Sequence, residues 1–146
     1  MAIRVIGGTA RGRKLKMVPG DTSRPVRDIV KESLFNILGV WVRGSHWLDL
    51  FAGTGSIGIE ALSRGAEHCV FLDTSRDAIR TIHENLAITG LAERAAVYRL
   101  DAFAFLASEP GARQDAFEVI YVAPPQYKGL WRDALEAIDR NVGWLY

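Results

Sequence analysis

The 146-residue sequence predicts an α/β fold: a parallel sheet with helices on both faces, preceded by a short β-hairpin and a helix. Three observations lead there. From His46 onward, short apolar runs alternate with helical segments at the spacing of βαβ units. A glycine-rich turn, Gly53-Thr54-Gly55 with Gly58 close behind, joins the first of these runs to its helix. Three aspartates, Asp49, Asp73 and Asp101, stand at or beside the ends of three successive strands. Right-handed crossovers between parallel strands bring all carboxyl ends to one edge of the sheet. The acids and the glycine turn therefore share that edge in a Rossmann-like arrangement.

Taken in order, residues 3–8 and 13–18 read as two strands around the turn Gly8-Thr9-Ala10-Arg11-Gly12, and Pro19-Gly20-Asp21 ends this hairpin. A helix follows over residues 28–38, just after Pro25. Ile29, Val30, Leu34, Ile37 and Leu38 form its expected buried face, and Gly39 suits its C-terminal cap. Residues 47–51 are a strand, 52–55 a turn and 56–64 a helix. Residues 69–72 are a second strand, ending at Asp73, and residues 76–89 a helix closed near Gly90. Residues 95–99 are a third strand with Asp101 following, and 102–107 a short helix. Pro110-Gly111 breaks the chain into a loop before a fourth strand at 117–122 and a helix at 129–140. The chain thus divides into a basic hairpin and helix, residues 1–45, and a Rossmann-like part, residues 46–146. Four parallel strands make a small sheet for this architecture, and a fifth could begin at Tyr146, so a C-terminally truncated domain is expected.

Composition narrows the class. Hydrophobic residues make up 49% and charged residues 24%, as in a soluble globular protein. No apolar run approaches the ~18 residues of a membrane span, and Met1-Ala2-Ile3-Arg4 does not begin a secretory signal. Cys69 is the single cysteine, which rules out an internal disulfide and suits a reducing cytoplasm. Inside a strand it is expected to be a small buried hydrophobe. Neither Cys69 nor the scattered His46, His68 and His83 gives a metal-ligand spacing, so no metal is expected. Trp41, Trp47, Trp131 and Trp144 are expected in core or edge packing rather than as base-stacking platforms. A cytoplasmic monomer with no membrane partner is the resulting expectation.

Net charge is only +1, but it is unevenly spread. Residues 1–45 hold nine Lys and Arg against three Asp and Glu, and the remainder holds nine against fourteen. A basic head on an acidic body either meets a polyanion or is simply a solvated charged face. Charge alone leaves both open.

Gly53, Gly55 and Gly58 satisfy G-x-G-x-x-G: the first two allow a tight turn near a ligand, and the third lets the helix pack on the strand. Asp73, twenty positions after Gly53, suits a pair of ribose hydroxyls. On these features alone a dinucleotide and an adenosine-type cofactor compete. Asp49 helps decide. A pyrophosphate needs the positive end of the helix, and a carboxylate at the lip of the first strand repels it. The same carboxylate suits S-adenosylmethionine, which carries an ammonium and a sulfonium. Asp101 adds an acceptor for an adenine amino group. Together the three acids make an acidic rim, although each one alone is ordinarily a turn former or helix cap. The turn residues Phe51, Ala52 and Thr54, and Thr74 and Ala102 beside the other two acids, are expected to line the same cofactor site.

The fourth strand ends in Val122-Ala123-Pro124-Pro125-Gln126-Tyr127. Adjacent prolines cannot donate to a ladder and fix a stiff turn with free carbonyls, beside which Tyr127 can stack on a flat base. Pro124, Pro125, Gln126 and Tyr127 are the expected reaction-site residues.

Across nearly its whole length the chain resembles bacterial methyltransferases that modify the exocyclic N2 amine of a guanine in small-subunit ribosomal RNA. The resemblance is carried by Arg4-Val5-Ile6-Gly7-Gly8 with Arg11-Gly12-Arg13-Lys14-Leu15, and by Arg24-Pro25 with Lys31-Glu32-Ser33-Leu34-Phe35-Asn36-Ile37-Leu38. The stretch from Leu48 to Gly55, with Gly58-Ile59-Glu60-Ala61-Leu62-Ser63-Arg64-Gly65-Ala66, carries it further. It implies a class I methyltransferase in which Asp49, Gly53, Gly55, Asp73 and Asp101 bind S-adenosylmethionine. It also implies that Arg4, Arg11, Arg13, Lys14, Lys16 and Arg24 face ribosomal RNA or the small subunit, and that further strands follow the position of Tyr146. One departure stands out. The family places Asp or Asn before the proline pair and Tyr or Phe directly after it. Here Ala123 replaces the first, and Gln126 intervenes before Tyr127, which leaves an adenine-N6 methyltransferase acting on DNA or RNA, or a non-catalytic RNA-binding relative, as alternatives.

Overall fold

The computed structural model describes residues 3–20, 26–108, 117–123 and 130–140. An antiparallel hairpin comes first, β1 (Ile3–Arg4) with β2 (Lys14–Leu15), Ile3 opposite Leu15 and Arg4 opposite Lys14. Helix α1 (Asp28–Leu38) and a 3-10 turn (Gly39–Val42) lead into the main sheet. There β3 (His46–Asp49), β4 (His68–Asp73), β5 (Ala95–Arg99) and β6 (Val119–Tyr121) lie in the order β5-β4-β3-β6, all neighbours parallel. Helices α2 (Ser56–Ser63), α3 (Arg76–Thr89) and α4 (Ala102–Ala107) connect them in turn, and α5 (Leu130–Arg140) follows β6. The α/β class expected from the sequence is the one observed.

A strand buried on both faces must be apolar at successive positions, and alternate residues then serve opposite layers. Trp47, Cys69 and Phe71 enter one core with Ile57, Ile59 and Leu62 of α2 and Ile82 and Leu86 of α3. Leu48, Val70 and Leu72 enter the other with Phe105 and Leu106 of α4 and Ala137 and Ile138 of α5. The hairpin and α1 join the first core through Ile3, Val5, Leu15 and Phe35. Helix α2 lies close against β4 because Gly58 has no side chain. A Cβ there would sit 2.3 Å from the Phe71 ring and 2.7 Å from the Cys69 Sγ. The Cys69 thiol is buried, as expected.

The hairpin strands are shorter than the sequence runs suggest, because buried side chains take the backbone groups that would extend the ladder. Glu60 accepts from the Ile6 and Gly7 N–H groups, each at 2.9 Å. Asn85 bonds both the N–H and the C=O of Lys16.

Helix α1 has the expected bounds, but only part of its expected face is inside: Leu34 and Leu38 are half-buried against the first core. Lys31 and Phe35 are buried, whereas Ile29, Val30 and Ile37 are exposed, Ile37 by 81%. Apolar residues lie on both sides of this helix, so periodicity cannot choose between them. The tertiary partners choose. Phe35 stacks on Trp47 with centroids 5.5 Å apart, and the Arg64 guanidinium lies 5.0 Å over the Phe35 ring. Trp47 is fully buried, as expected, and donates to Ser45 Oγ at 2.8 Å, whereas Trp41 is 78% exposed and packs in no core. Among the described residues no helix is long and apolar enough to cross a membrane. None of their His, Cys, Asp and Glu residues are grouped to hold a metal ion.

Candidate functional site

The chain runs from β3 outward through β4 to β5, then returns to place β6 on the other side of β3. The crevice of such a sheet opens at the carboxyl ends of the two strands that flank this reversal. Asp49 ends β3 there, with Tyr121 of β6 in register beside it.

The glycine turn follows. Gly53 and Gly55 have φ of 57° and 81°, left-handed values that a side chain would strain. The turn is held from several directions. Gly55 N–H donates to the Ala52 carbonyl at 2.8 Å, and Ala52 N–H to that of Leu72 at 2.9 Å. Gly53 N–H donates to Asp73 Oδ2 and Ser75 N–H to Asp73 Oδ1, both at 2.9 Å. Asn85 Nδ2 donates to the Thr54 carbonyl at 2.9 Å.

Asp49 is only 1% exposed. Burial pushes its carboxyl up to about 7, and the charge of Asp73 adds to this. The Phe51 and Gly58 backbone N–H groups pull the other way. Asp49 in turn reinforces the upward push that burial gives the Cys69 thiol and the Tyr121 hydroxyl. Because Gly58 lies in the first turn of α2, the positive end of that helix already faces a carboxylate. An incoming phosphate would meet charge where it needs open N–H groups. Asp49 Oδ1 has no hydrogen-bond partner, alone among buried side-chain oxygens and nitrogens of the described residues. An unpartnered buried carboxylate oxygen is a standing cost, and an ammonium donor relieves it.

The expected acidic rim is thus corrected. Its three acids do stand at successive strand ends, but Asp49 lies beneath the glycine turn rather than at an open mouth. Asp101 is exposed and caps α4, accepting from Ala104 N–H at 2.9 Å. Asp73 bonds the turn itself. Each engaged oxygen keeps a second lone pair for a ligand. Thr74 is exposed, its carbonyl bonded by Arg99 Nε at 2.9 Å, and Ala102 is buried. Phe51 is half-buried, edge-on to Phe103 at 6.4 Å. Ala123 is exposed just past the end of β6. Pro124, Pro125, Gln126 and Tyr127 lie outside the described residues, as does Arg24.

The basic face is partly self-neutralised. Arg4 pairs with Asp28 at 3.1 Å and Lys16 with Glu84 at 3.0 Å, both on the surface. Arg11, Arg13 and Lys14 are exposed and make no ion pair within the described residues. Lys31 counts toward the basic head in the sequence but is fully buried. Its Nζ donates to the Arg4 carbonyl at 2.5 Å and Ser56 Oγ at 3.0 Å, and lies 3.4 Å from Glu60 Oε1. Burial lowers its pKa, and Glu60 opposes that shift. Lys31, Glu60 and Asn85 were missed as structural keys, because mid-helix polar residues carry no local signal of burial.

A parallel sheet with this strand order, a glycine turn after β3 and acids at the ends of β3, β4 and β5 is the architecture of the Rossmann-like methyltransferases. The chain belongs to the family described as Conserved hypothetical protein 95, which matches residues 3–145. It is 45% identical over 137 residues to YlbH of Bacillus subtilis, covering 94% of this chain and 74% of that protein. It is 37% identical over 143 residues to Ribosomal RNA small subunit methyltransferase D of Escherichia coli, covering 98% of this chain and 69% of that one. The solved structure of yhhF from Escherichia coli superposes with a TM-score of 0.85 at 37% identity, over 100% of this chain and 76% of that one.

Proposed function

We propose that this protein transfers a methyl group from S-adenosylmethionine to the exocyclic N2 amine of a guanine in small-subunit ribosomal RNA. The observation that carries the proposal is the Asp49 carboxylate: buried at the positive end of α2, with one oxygen unpartnered. It deters a phosphate-bearing cofactor and suits one that brings an ammonium. S-adenosylmethionine, when bound, supplies a methyl group activated on a sulfonium. Asp49, Asp73, Asp101 and the Gly53–Gly55 turn are the residues that would hold it. The RNA part of the proposal is supported by the names of relatives such as the Escherichia coli protein and by the unpaired Arg11, Arg13 and Lys14. Ribosomal RNA as substrate implies work in the cytoplasm.

An exocyclic amine is a weak nucleophile because its lone pair is conjugated into the ring. An acceptor that takes up its N–H bonds frees that pair, and orientation then does much of the rest. Ala123 has no such acceptor. We assign that role to the Gln126 side-chain oxygen with the Pro124 carbonyl, Pro125 stiffening the turn and Tyr127 stacking on the base. Ala123 also favours a second reading, RNA binding without turnover, since losing one preorganised group of this kind slows a reaction on the order of 100-fold.

The test is transfer of labelled methyl to naked small-subunit RNA and to assembled small subunits, followed by nucleoside analysis. Label in N2-methylguanosine is expected. Label in methyladenosine would reject the guanine target, and absence of label with the cofactor bound would select the second reading. Calorimetric binding of NAD in place of S-adenosylmethionine would overturn both.

A further inference from the structure

Asn85 of α3 touches both the basic hairpin and the cofactor turn. Its Oδ1 accepts from Lys16 N–H at 2.7 Å, while Nδ2 donates to the Lys16 carbonyl at 3.1 Å and to the Thr54 carbonyl at 2.9 Å. The side chain is fully buried. A primary amide has two N–H donors, and here each holds a different carbonyl, one per segment. The Thr54–Gly55 peptide is thereby held from both sides, its carbonyl by Asn85 and its N–H by Ala52. Lys16, on the other side, is one of the exposed cations of the hairpin, and its Nζ pairs with Glu84, the neighbour of Asn85.

We propose that Asn85 is a positioning residue through which the hairpin sets the conformation of the glycine turn, so that RNA on the hairpin and cofactor at the turn favour each other's binding. The inference rests on the functional reading above. A phosphate drawn to Arg11, Arg13 and Lys14 orders the hairpin backbone that Asn85 grips at Lys16. Asn85 transmits that order to Thr54, and the second ligand finds the turn already fixed. Asparagine is the side chain this requires. Aspartate keeps the shape and the acceptor but loses both donors, and it sets a carboxylate against two carbonyls.

The test is calorimetry with adenosylhomocysteine on the whole protein. It is run alone and with saturating small ribosomal subunits or their protein-free RNA, for wild type and Asn85→Asp. Wild type is expected to bind adenosylhomocysteine about fivefold tighter in the presence of RNA, the low end of ordinary allosteric coupling. Asn85→Asp is expected to bind equally with and without it. A side chain that only stabilises the fold lowers Tm and leaves this ratio unchanged. Equal affinities in wild type, or an unaltered ratio in Asn85→Asp, overturn the inference. If that variant does not fold, hydrogen exchange on wild type decides. Adenosylhomocysteine should slow exchange of the Lys16 amide, and an unchanged rate overturns the coupling. Failure of wild type to bind adenosylhomocysteine at all rejects the functional reading itself, a result distinct from binding without coupling.

Discussion

Asp49 gives up almost all its hydration when β3 packs against α2, and its pKa rises from 3.8 to about 7. The sign of the consequence follows from proton counting. Between those two values the folded chain keeps a proton that the unfolded chain has released. The contribution of this group to stability therefore declines as pH rises from about 4 to 7 and is constant above that. The shift corresponds to roughly 4 kcal/mol over the window. Asp49→Asn should abolish that decline, so urea denaturation at pH 5 and pH 8 should show the variant gaining on wild type at the higher pH. An equal gap at both would mean that the carboxylate is ionised throughout. The same variant should bind S-adenosylmethionine at least tenfold more weakly by calorimetry, the loss of a charge-assisted bond. The sequence placed this acid next to the glycine turn. It could not tell that the carboxylate would be buried, because exposure depends on what packs over the strand end.

At the scale of elements, the helix bounds were legible where caps wrote them. Ser75 accepts from Ala78 N–H to start α3 and Gly90 closes it, while Asp101 starts α4. The role of Asp101 as a cap is local chemistry that its sequence position already allowed. The docking face of α1 was not legible, because it depends on Trp47 and Glu60, which come later in the chain. Two substitutions test these contacts by chemical denaturation. Lys31→Met should cost about 3 kcal/mol, since it removes one of the two cations that face buried Glu60 and the donor to the Arg4 carbonyl and Ser56 Oγ. A loss below about 1 kcal/mol would show that Arg64, 2.7 Å from Glu60 Oε2, neutralises it unaided. Gly58→Ala should cost about 1–3 kcal/mol, as its new Cβ forces α2 away from Phe71 and Cys69. Unchanged stability would mean that this helix is free to shift.

For the whole molecule, the charge pattern of the sequence overstated the free basic surface. Lys31 is spent on a buried pair, and Arg4 and Lys16 are engaged on the surface. Among the described residues, Arg11, Arg13 and Lys14 are the unpaired remainder on the hairpin. Replacing all three with Ala should weaken RNA binding and flatten its salt dependence, by a slope of roughly one unit per lost phosphate contact. Filter binding across a salt series measures this, and an unchanged slope would reduce the hairpin cations to solvated surface.

The amino-acid sequence by itself determined the α/β class, the order of the elements, the tight turn at Gly53 and Gly55, and the close approach at Gly58. Each of these is written in local signals: short apolar runs buried on both faces, caps and the spacing of the glycines. Only the tertiary structure decided which face of α1 is inside, that Asp49 is buried with an unpartnered oxygen, and that Lys31, Glu60 and Asn85 fasten the hairpin to the cofactor helix and turn. The fastening of the hairpin depends on partners 25 to 69 positions away, and burial and charge pairing at such range are properties of the packed chain.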